Sequence, residues 1–286
     1  MSRGLRLLLL ALLPLLLTGC SSLLFFPDRT LRQHPTVERF HPEDRTFTSG
    51  DETLHGWFFA AEKPVASILV LHGNAENLTS HIHSTLWLVK EGFNLFIVDY
   101  RGYGQSSGSP DLAGAHNDAA AALEALNRFP ESADMPLIVL GQSIGAAIAV
   151  KTVATTPFKE RLAALVLDSP FFSYRRIAQE KIAALWLTWP LQWPLAYLFN
   201  DDTSPNRWID QVAPLPILFV HDANDAVIPI QHTFDLFDLA DNPKELFLTR
   251  GIGHIAAFAD AQLRQQLTAS LQRQITVWQK LTSTTN

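Results

Sequence analysis

The chain has 286 residues, of which 47% are hydrophobic and 17% are charged, with 14 Gly and 17 Pro. This composition excludes a disordered chain, a coiled coil and a collagen-like fibre, and the length suits one large domain or two small ones. The 22 basic residues are outnumbered by 28 acidic ones, so no basic surface for nucleic acid is expected, and the single cysteine excludes intrachain disulfides and multi-cysteine metal sites.

The first nineteen residues have the pattern of a secretory leader. Two arginines precede an almost unbroken apolar run, residues 7–17, which is shorter than the roughly 20 residues of a typical membrane span. Residues 17–20 then read Leu-Thr-Gly-Cys, which resembles the lipobox of bacterial lipoproteins. The resemblance implies a signal peptide over 1–19, lipid attachment at Cys20 and, because Ser21 follows, residence at the periplasmic face of a bacterial outer membrane. An ordinary signal peptide or an uncleaved anchor is the alternative.

Residues 20–43 contain three prolines without periodicity and are predicted to form a tether to a domain over 44–286. In that domain, strand-like apolar runs alternate with helical patterns. The predicted strands cover residues 54–61, 66–71, 94–100, 136–140, 162–167, 215–221 and 245–249. The predicted helices cover residues 78–91, 111–127, 144–155 and 257–281. Such alternation predicts an α/β fold with a doubly wound, mostly parallel sheet and helices on both faces.

An insert at about residues 170–212 interrupts this alternation. It holds four of the seven tryptophans, Trp186, Trp189, Trp193 and Trp208. Its apolar part, residues 182–198, contains Pro190 and Pro194, which are expected to divide it into short helices. Because long connections in compact domains are often functional, we predict a helical cap over a pocket, with aromatic surface facing an apolar substrate or a membrane. A buried helix that extends the core is the alternative.

A Gly-x-Ser-x-Gly pattern at residues 141–145 lies between a predicted strand and a helix of small residues. The glycines permit a sharp turn that exposes the hydroxyl of Ser143. The N terminus of the helix adds positive potential where an oxyanion would form. The pattern alone is weak, but in this setting it predicts that Ser143 is a nucleophile.

A serine hydroxyl needs a base to take its proton, and the base needs an acid to orient it. Among ten histidines we favour His254, since it follows the last predicted strand. The favoured acid is Asp225, which follows the preceding strand. Asp222 and Asp168 are the rival acids.

Four motifs together resemble the serine esterases and lipase-like enzymes of the α/β-hydrolase family, over about residues 45–281. They are the His-Gly-x loop at 72–74, the Asp-x-Arg-Gly-x-Gly-x-Ser turn at 99–106, the serine turn at 141–145 and the acid loop at 222–229. The resemblance implies that the backbone N–H groups of Asn74 and Ile144 form an oxyanion hole. A serine in the turn argues against the dehalogenase and epoxide-hydrolase branches. The acid loop departs from the family pattern, because His221 is followed by Asp222 where relatives usually have glycine.

Two further groups of residues have simpler interpretations. His81 and His83 resemble a metal pair in their spacing, but without partner ligands a solvated helix is favoured. Asp99 and Arg101 are expected to brace their turn by an ion pair.

The sequence therefore predicts a lipid-anchored serine hydrolase that forms an acyl-enzyme on an ester, thioester or amide with an apolar acyl or aryl group. A carboxylesterase or lysophospholipase-like activity is favoured, with a membrane reached through the lipid anchor and with no metal, organic cofactor or nucleic acid involved. A serine peptidase, an acyltransferase and a non-catalytic envelope lipoprotein are the alternatives.

Overall fold

The computed structural model describes residues 24–184 and 188–285. The predicted signal peptide and Cys20 lie outside the described residues. Among the described residues, no helix combines the length and apolar character needed to cross a bilayer.

In the part of the chain that the structure describes, ten strands form two sheets. The strands are β1 (Phe26–Pro27), β2 (Glu43–Ser49), β3 (Glu52–Phe59), β4 (Ala66–Leu71), β5 (Ala75–Glu76), β6 (Phe93–Val98), β7 (Leu137–Gln142), β8 (Leu162–Asp168), β9 (Ile217–Asp222) and β10 (Lys244–Thr249). The main sheet has eight strands in the order β10-β9-β8-β7-β4-β6-β3-β2, and β1 pairs with β5 separately. In the main sheet β3 is antiparallel to both neighbours, and the other adjacent strands are parallel. The predicted mostly parallel sheet is confirmed.

Helices cover both faces of the main sheet. They are α1 (Pro35–Glu38), α2 (Leu78–Thr85), α3 (Trp87–Lys90), α4 (Leu112–Arg128), α5 (Ile144–Thr155), α6 (Tyr174–Ala183), α7 (Gln192–Ala196), α8 (Gln231–Leu239) and α9 (Ala261–Thr285). The side chains of β4 alternate between two cores: Leu69 packs with residues of α4 and α5, whereas Ile68 packs with residues of α2, α3 and α9. Because both faces are covered, every residue of β4, β6, β7 and β9 is buried, as their continuous apolar runs indicate.

The segment at residues 24–30, which we call the strap, is bound to the body of the domain. The N–H of Phe26 donates to the carbonyl of Asn74 over 2.8 Å, and that of Asp28 donates to Glu76 over 2.9 Å. The side-chain amide of Asn77 donates to the carbonyls of Asp28 and Thr30. This part of the predicted tether therefore lies in a fixed position across the loop that follows β4.

The insert between β8 and β9 consists of short helical pieces. Helix α6 is followed by a 3₁₀ turn at Trp189–Leu191 and by α7, each with a proline near its start. We call residues 174–184 and 188–199 the cap, since several of its side chains line a cavity beside Ser143. Trp186 of the predicted insert lies outside the described residues.

Candidate active site

Ser143 lies in the turn that joins β7 to α5. Its backbone has φ 56° and ψ −117°, a strained conformation for a residue with a side chain. A Cβ atom at Gly141 would lie 2.3 Å from the carbonyl oxygen of Gly145, and one at Gly145 would lie 2.1 Å from that of Leu71. Only glycine fits at these two positions, so the sharp turn that presents the hydroxyl requires glycine at both.

The loops at the carboxyl ends of the parallel strands bring the other predicted residues to the same edge of the sheet. Asn74 follows β4, Ser143 follows β7, Asp225 follows β9 and His254 follows β10. In open α/β sheets, ligands bind at this edge.

Asp225 and His254 are directly bonded. Nδ1–H of His254 donates to Oδ2 of Asp225 over 2.7 Å. Oδ1 of the same carboxylate accepts the N–H groups of Val227 and Ile228 over 2.7 and 2.9 Å. Burial opposes the charge, but the hydrogen bonds from His254, Ile228 and Val227 outweigh it and lower the pKa of Asp225 below its ordinary value. The acid is therefore ionised at neutral pH and holds the imidazole ring in one orientation.

The loop that carries His254 is tied to the serine turn through the end of β8. The N–H of Ile255 donates to Oγ of Ser169 over 3.4 Å, and the N–H of Ser143 donates to the carbonyl of Asp168 over 2.9 Å. In the described part of the chain, no hydrogen bond joins the side chains of Ser143 and His254. Catalytic hydrogen bonds of this kind often tighten only when a substrate binds.

Asp222 binds the backbone of the loop that carries His254. Its buried carboxylate accepts hydrogen bonds from Oγ1 of Thr249, over 2.8 Å, and from the N–H groups of Gly251 and Ile252, over 3.1 and 3.0 Å. Although burial opposes the charge, the backbone hydrogen bonds lower the pKa of Asp222 to about 2. Asp222 does not bond to His254, so its role is to position the loop.

Asp168 lies beneath the serine turn. Its Oδ2 accepts the side-chain amide of Gln142 over 2.8 Å, and Ser169 donates to Oδ1 over 3.3 Å. Burial raises the pKa of Asp168 to about 6. Of the three candidate acids, Asp225 is the one that contacts His254.

Asn74 and Ile144, the predicted oxyanion-hole residues, both line the cavity beside Ser143. The carbonyl of Asn74 accepts the N–H of Phe26 and the hydroxyl of Tyr103, and its side-chain amide donates to the carbonyl of Leu24 over 3.1 Å. These bonds fix the carbonyl and the side-chain NH₂ of Asn74. Among the described residues, no hydrogen bond from its backbone N–H is found.

The predicted ion pair between Asp99 and Arg101 is wrong. The guanidinium of Arg101 bonds to Asp118 on α4, with Nη2 2.7 Å from Oδ1. Asp99 instead accepts the N–H of Leu78 over 2.8 Å and lies 3.3 Å from Nε2 of the buried His72. The turn is therefore braced by α4, and Asp99 supports the His-Gly loop.

His81 and His83 have separate surroundings. His81 stacks on His72 and bonds to the carbonyl of Ala75 over 3.0 Å, and burial and the nearby His72 lower its pKa to about 4. His83 packs edge-on against His34. The described residues bring no three histidine, cysteine or carboxylate side chains together as a metal site would.

The cavity beside Ser143 has a volume of about 560 Å³ and is mostly apolar. Its apolar walls include Leu24, Phe26, Phe171, Ile177, Leu195, Leu198, Phe199 and Ile228. Lys181 is the one charged side chain among the described lining residues, and its ammonium donates to the carbonyl of Val227. The sequence analysis missed the strap as a wall, because no local pattern shows that residues 24–26 return to the loop after β4.

Known proteins resemble this chain in sequence. The family described as serine aminopeptidase, S33, matches residues 62–211. The uncharacterised protein YfhR of Escherichia coli is 36% identical over 224 residues, which cover 76% of this chain and 75% of YfhR. The chain belongs to the S33 serine aminopeptidase family of α/β-hydrolases. The protein bem46 of Schizosaccharomyces pombe is 29% identical over 234 residues, covering 78% of this chain and 74% of bem46.

Solved structures show the same fold. The esterase Pf2001 of Pyrococcus furiosus superposes with a TM-score of 0.67 at 20% identity, covering 89% of this chain and 98% of the esterase. An α/β-hydrolase from Vibrio vulnificus gives a TM-score of 0.69 at 21% identity, covering 84% and 87%. The predicted α/β-hydrolase fold is confirmed, and family membership places the chain among the hydrolases.

Proposed function

We propose that this α/β-hydrolase is a serine esterase for apolar acyl or aryl groups and is held at the bacterial envelope by lipid on Cys20. One observation carries the enzymatic part: the bonded Asp225–His254 pair lies at the same edge as the strained Ser143 turn, beside an apolar cavity. The anchor is supported by the apolar leader and the Leu-Thr-Gly-Cys sequence that ends at residue 20.

The proposed reaction proceeds through an acyl-enzyme. Oγ of Ser143 attacks the carbonyl carbon while Nε2 of His254 takes its proton, and Asp225 stabilises the imidazolium through Nδ1–H. The N–H groups of Asn74 and Ile144 donate to the tetrahedral oxyanion. When the intermediate collapses, the C–O bond to the leaving alcohol breaks and His254 returns the proton to that alcohol. Water, deprotonated by His254, then attacks the acyl carbon. The bond from that carbon to Oγ of Ser143 breaks, His254 returns the proton to Oγ, and the acid leaves.

The cavity favours an ester over a peptide with a free N terminus. An aminopeptidase must bind an α-ammonium group, which calls for a carboxylate near the nucleophile. Among the described lining residues the one charged group is Lys181, and a cation repels an ammonium. The family description nevertheless makes a serine aminopeptidase the second candidate.

Labelling by a fluorophosphonate probe tests the proposal. We expect the full chain to be labelled and Ser143→Ala to lose all labelling, because the probe needs an activated hydroxyl. Ser283→Ala, an exposed position near the end of α9, is the matched control and should label normally. A chain that is folded by circular dichroism but takes no label would favour the non-catalytic alternative.

The labelled enzyme should hydrolyse p-nitrophenyl butyrate and leave leucine p-nitroanilide intact. Faster cleavage of the anilide would replace the esterase by the peptidase. If added alcohol diverts the acyl group into a new ester in preference to water, the acyltransferase alternative is correct.

A further inference from the structure

Exposed apolar side chains are concentrated on the three segments that wall the cavity. Seven of the twelve large hydrophobic side chains that are exposed among the described residues belong to the strap, the cap and the acid loop: Phe26, Trp189, Leu191, Trp193, Tyr197, Leu198 and Val227. We call these seven residues the apolar face. Phe26, Leu198 and Val227 both line the cavity and are 40–62% exposed, so they form its rim. The other four lie outside the rim on the cap and are 50–67% exposed.

The strap connects this face to the proposed lipid anchor. Hydrogen bonds between Asn74 and the backbone of Leu24 and Phe26 hold these two residues at the cavity. Only four residue steps separate Leu24 from Cys20, and an extended chain spans at most about 14 Å over that length. A lipid on Cys20 would therefore hold the mouth of the cavity close to the bilayer surface.

The chemistry of the face suits a bilayer interface. Residues 182–200 contain no Asp, Glu, Lys or Arg, in a chain whose formal net charge is −6. Tryptophan and tyrosine are the residues that favour the boundary between headgroups and acyl chains. The guanidinium of Arg175 lies 5.0 Å from the centre of the Tyr197 ring, so a cation flanks the aromatic surface where lipid phosphates would be.

We propose that the apolar face docks on the surface of a phospholipid bilayer and opens the cavity towards the lipid, so that the substrate is an ester of a lipid that enters from the membrane. This inference rests on the proposed esterase site and on the proposed anchor at Cys20. The rim residues would meet the acyl chains, and the strap, cap and acid loop would each contribute one side of the entrance. A bilayer substrate also fits the apolar walls that extend from the rim to Ser143.

Depth measurements on the full chain in vesicles test the docking. Tyr197→Cys and Val277→Cys each introduce a thiol at an exposed apolar position, the first on the face and the second on α9. Each variant carries an NBD fluorophore and is reconstituted into phosphatidylcholine vesicles that contain doxyl-labelled lipid. We expect a blue shift and strong quenching at position 197 and neither effect at position 277. Equal quenching at the two positions, or none at 197, would overturn the proposal.

Turnover gives a second readout. The triple variant Trp189→Ser, Trp193→Ser, Tyr197→Ser changes only side chains that do not line the cavity. We expect it to hydrolyse a soluble butyrate ester at the normal rate, while its turnover of a vesicle-embedded lysophospholipid falls about tenfold or more, because membrane binding scales with buried apolar area. An unchanged rate on vesicles would overturn the docking. If the wild type is a dimer in detergent and the triple variant is a monomer, the face is an interface between two copies of the chain, which would also overturn it.

These outcomes are separable from failure of the esterase proposal. A chain whose Ser143 reacts with the fluorophosphonate but whose position 197 stays in water keeps the esterase function and loses the docking. A chain that is quenched at position 197 but is not labelled by the probe keeps the docking and loses the esterase function.

Discussion

At the residue scale, Asp222 and Asp225 lie three positions apart and support different parts of the site. Asp225 faces the imidazole of His254, whereas Asp222 binds the backbone of the loop that carries it. Asp222 is the last residue of β9 and Asp225 lies three residues beyond it, so either could be the acid by its position. The two aspartates act differently because their carboxylate oxygens face different parts of the histidine loop. Which part each one faces depends on how β9 packs against β10.

Substitution by asparagine should distinguish the two aspartates. Asp225→Asn is expected to lower kcat by about 10⁴-fold, because an amide cannot hold the catalytic tautomer or stabilise the imidazolium. Asp222→Asn replaces one acceptor oxygen by a donor that opposes the backbone N–H groups, so it should lower stability and reduce kcat less. Ester turnover and urea unfolding measure the two effects. Equal loss of kcat in two stably folded variants would contradict these roles.

The stability effect of Asp222→Asn should depend on pH. The pKa of Asp222 is about 2 in the folded chain and 3.8 ordinarily. A lowered pKa stabilises the folded state fully above the ordinary value, and the contribution is lost as the pH falls through the folded value. The free energy of unfolding of the wild type should therefore exceed that of the variant most at neutral pH, and the difference should shrink between about pH 4 and pH 2.

At the element scale, the buried elements are the ones that the sequence predicts best. The predicted strand 66–71 and helix 144–155 coincide with β4 and α5, because burial on all sides leaves continuous apolar or small-residue runs. The edge strand β2 was not predicted, since it is mostly exposed and polar. Helix α8 was not predicted either, because two of its three buried residues are the polar His232 and Thr233. His232 bonds to Phe172 and Glu180 of the insert.

The residues of the site also differ in how far the sequence predicts them. Ser143, Asp225, His254 and the glycine turn follow from motifs that are local in sequence. The strap wall, the support from Asp222 and the bond from Arg101 to Asp118 depend on contacts between segments distant in the chain, which no local pattern contains.

One substitution should loosen the strap. Asn77 caps α2 by accepting the N–H of Thr79 and also holds the strap through its amide. Asn77→Ala should lower stability by about 1–2 kcal/mol and speed proteolysis within residues 24–34. Asp111→Ala removes the cap of α4 without touching the strap, so it should lower stability by about 1 kcal/mol and leave that cleavage unchanged. Equal proteolysis in the two variants would mean that the strap is held by other contacts.

At the scale of the whole molecule, the structural features on which the proposed function depends lie at one edge of the sheet. The serine turn, the acid and histidine loops, the cap and the strap all meet there, and the chain that leads back to Cys20 departs from the same edge. A lipid attached elsewhere on the surface would leave the mouth of the cavity free to face solvent. The position of the strap thus couples the proposed anchor to the orientation of the enzyme.

The anchor itself should depend on one sulfur atom and not on charge. With a formal net charge of −6, the chain has no overall attraction to anionic lipid, so a high-salt wash should leave it in the membrane fraction. Cells grown with alkyne-palmitate should incorporate the label into the wild type and into Ser22→Ala, which preserves the cysteine. Cys20→Ser should lose incorporation completely, since no other thiol is present in the chain. Label that persists in Cys20→Ser would place the acyl group on another residue, and release of the wild type by salt would show that charge holds the protein to the membrane.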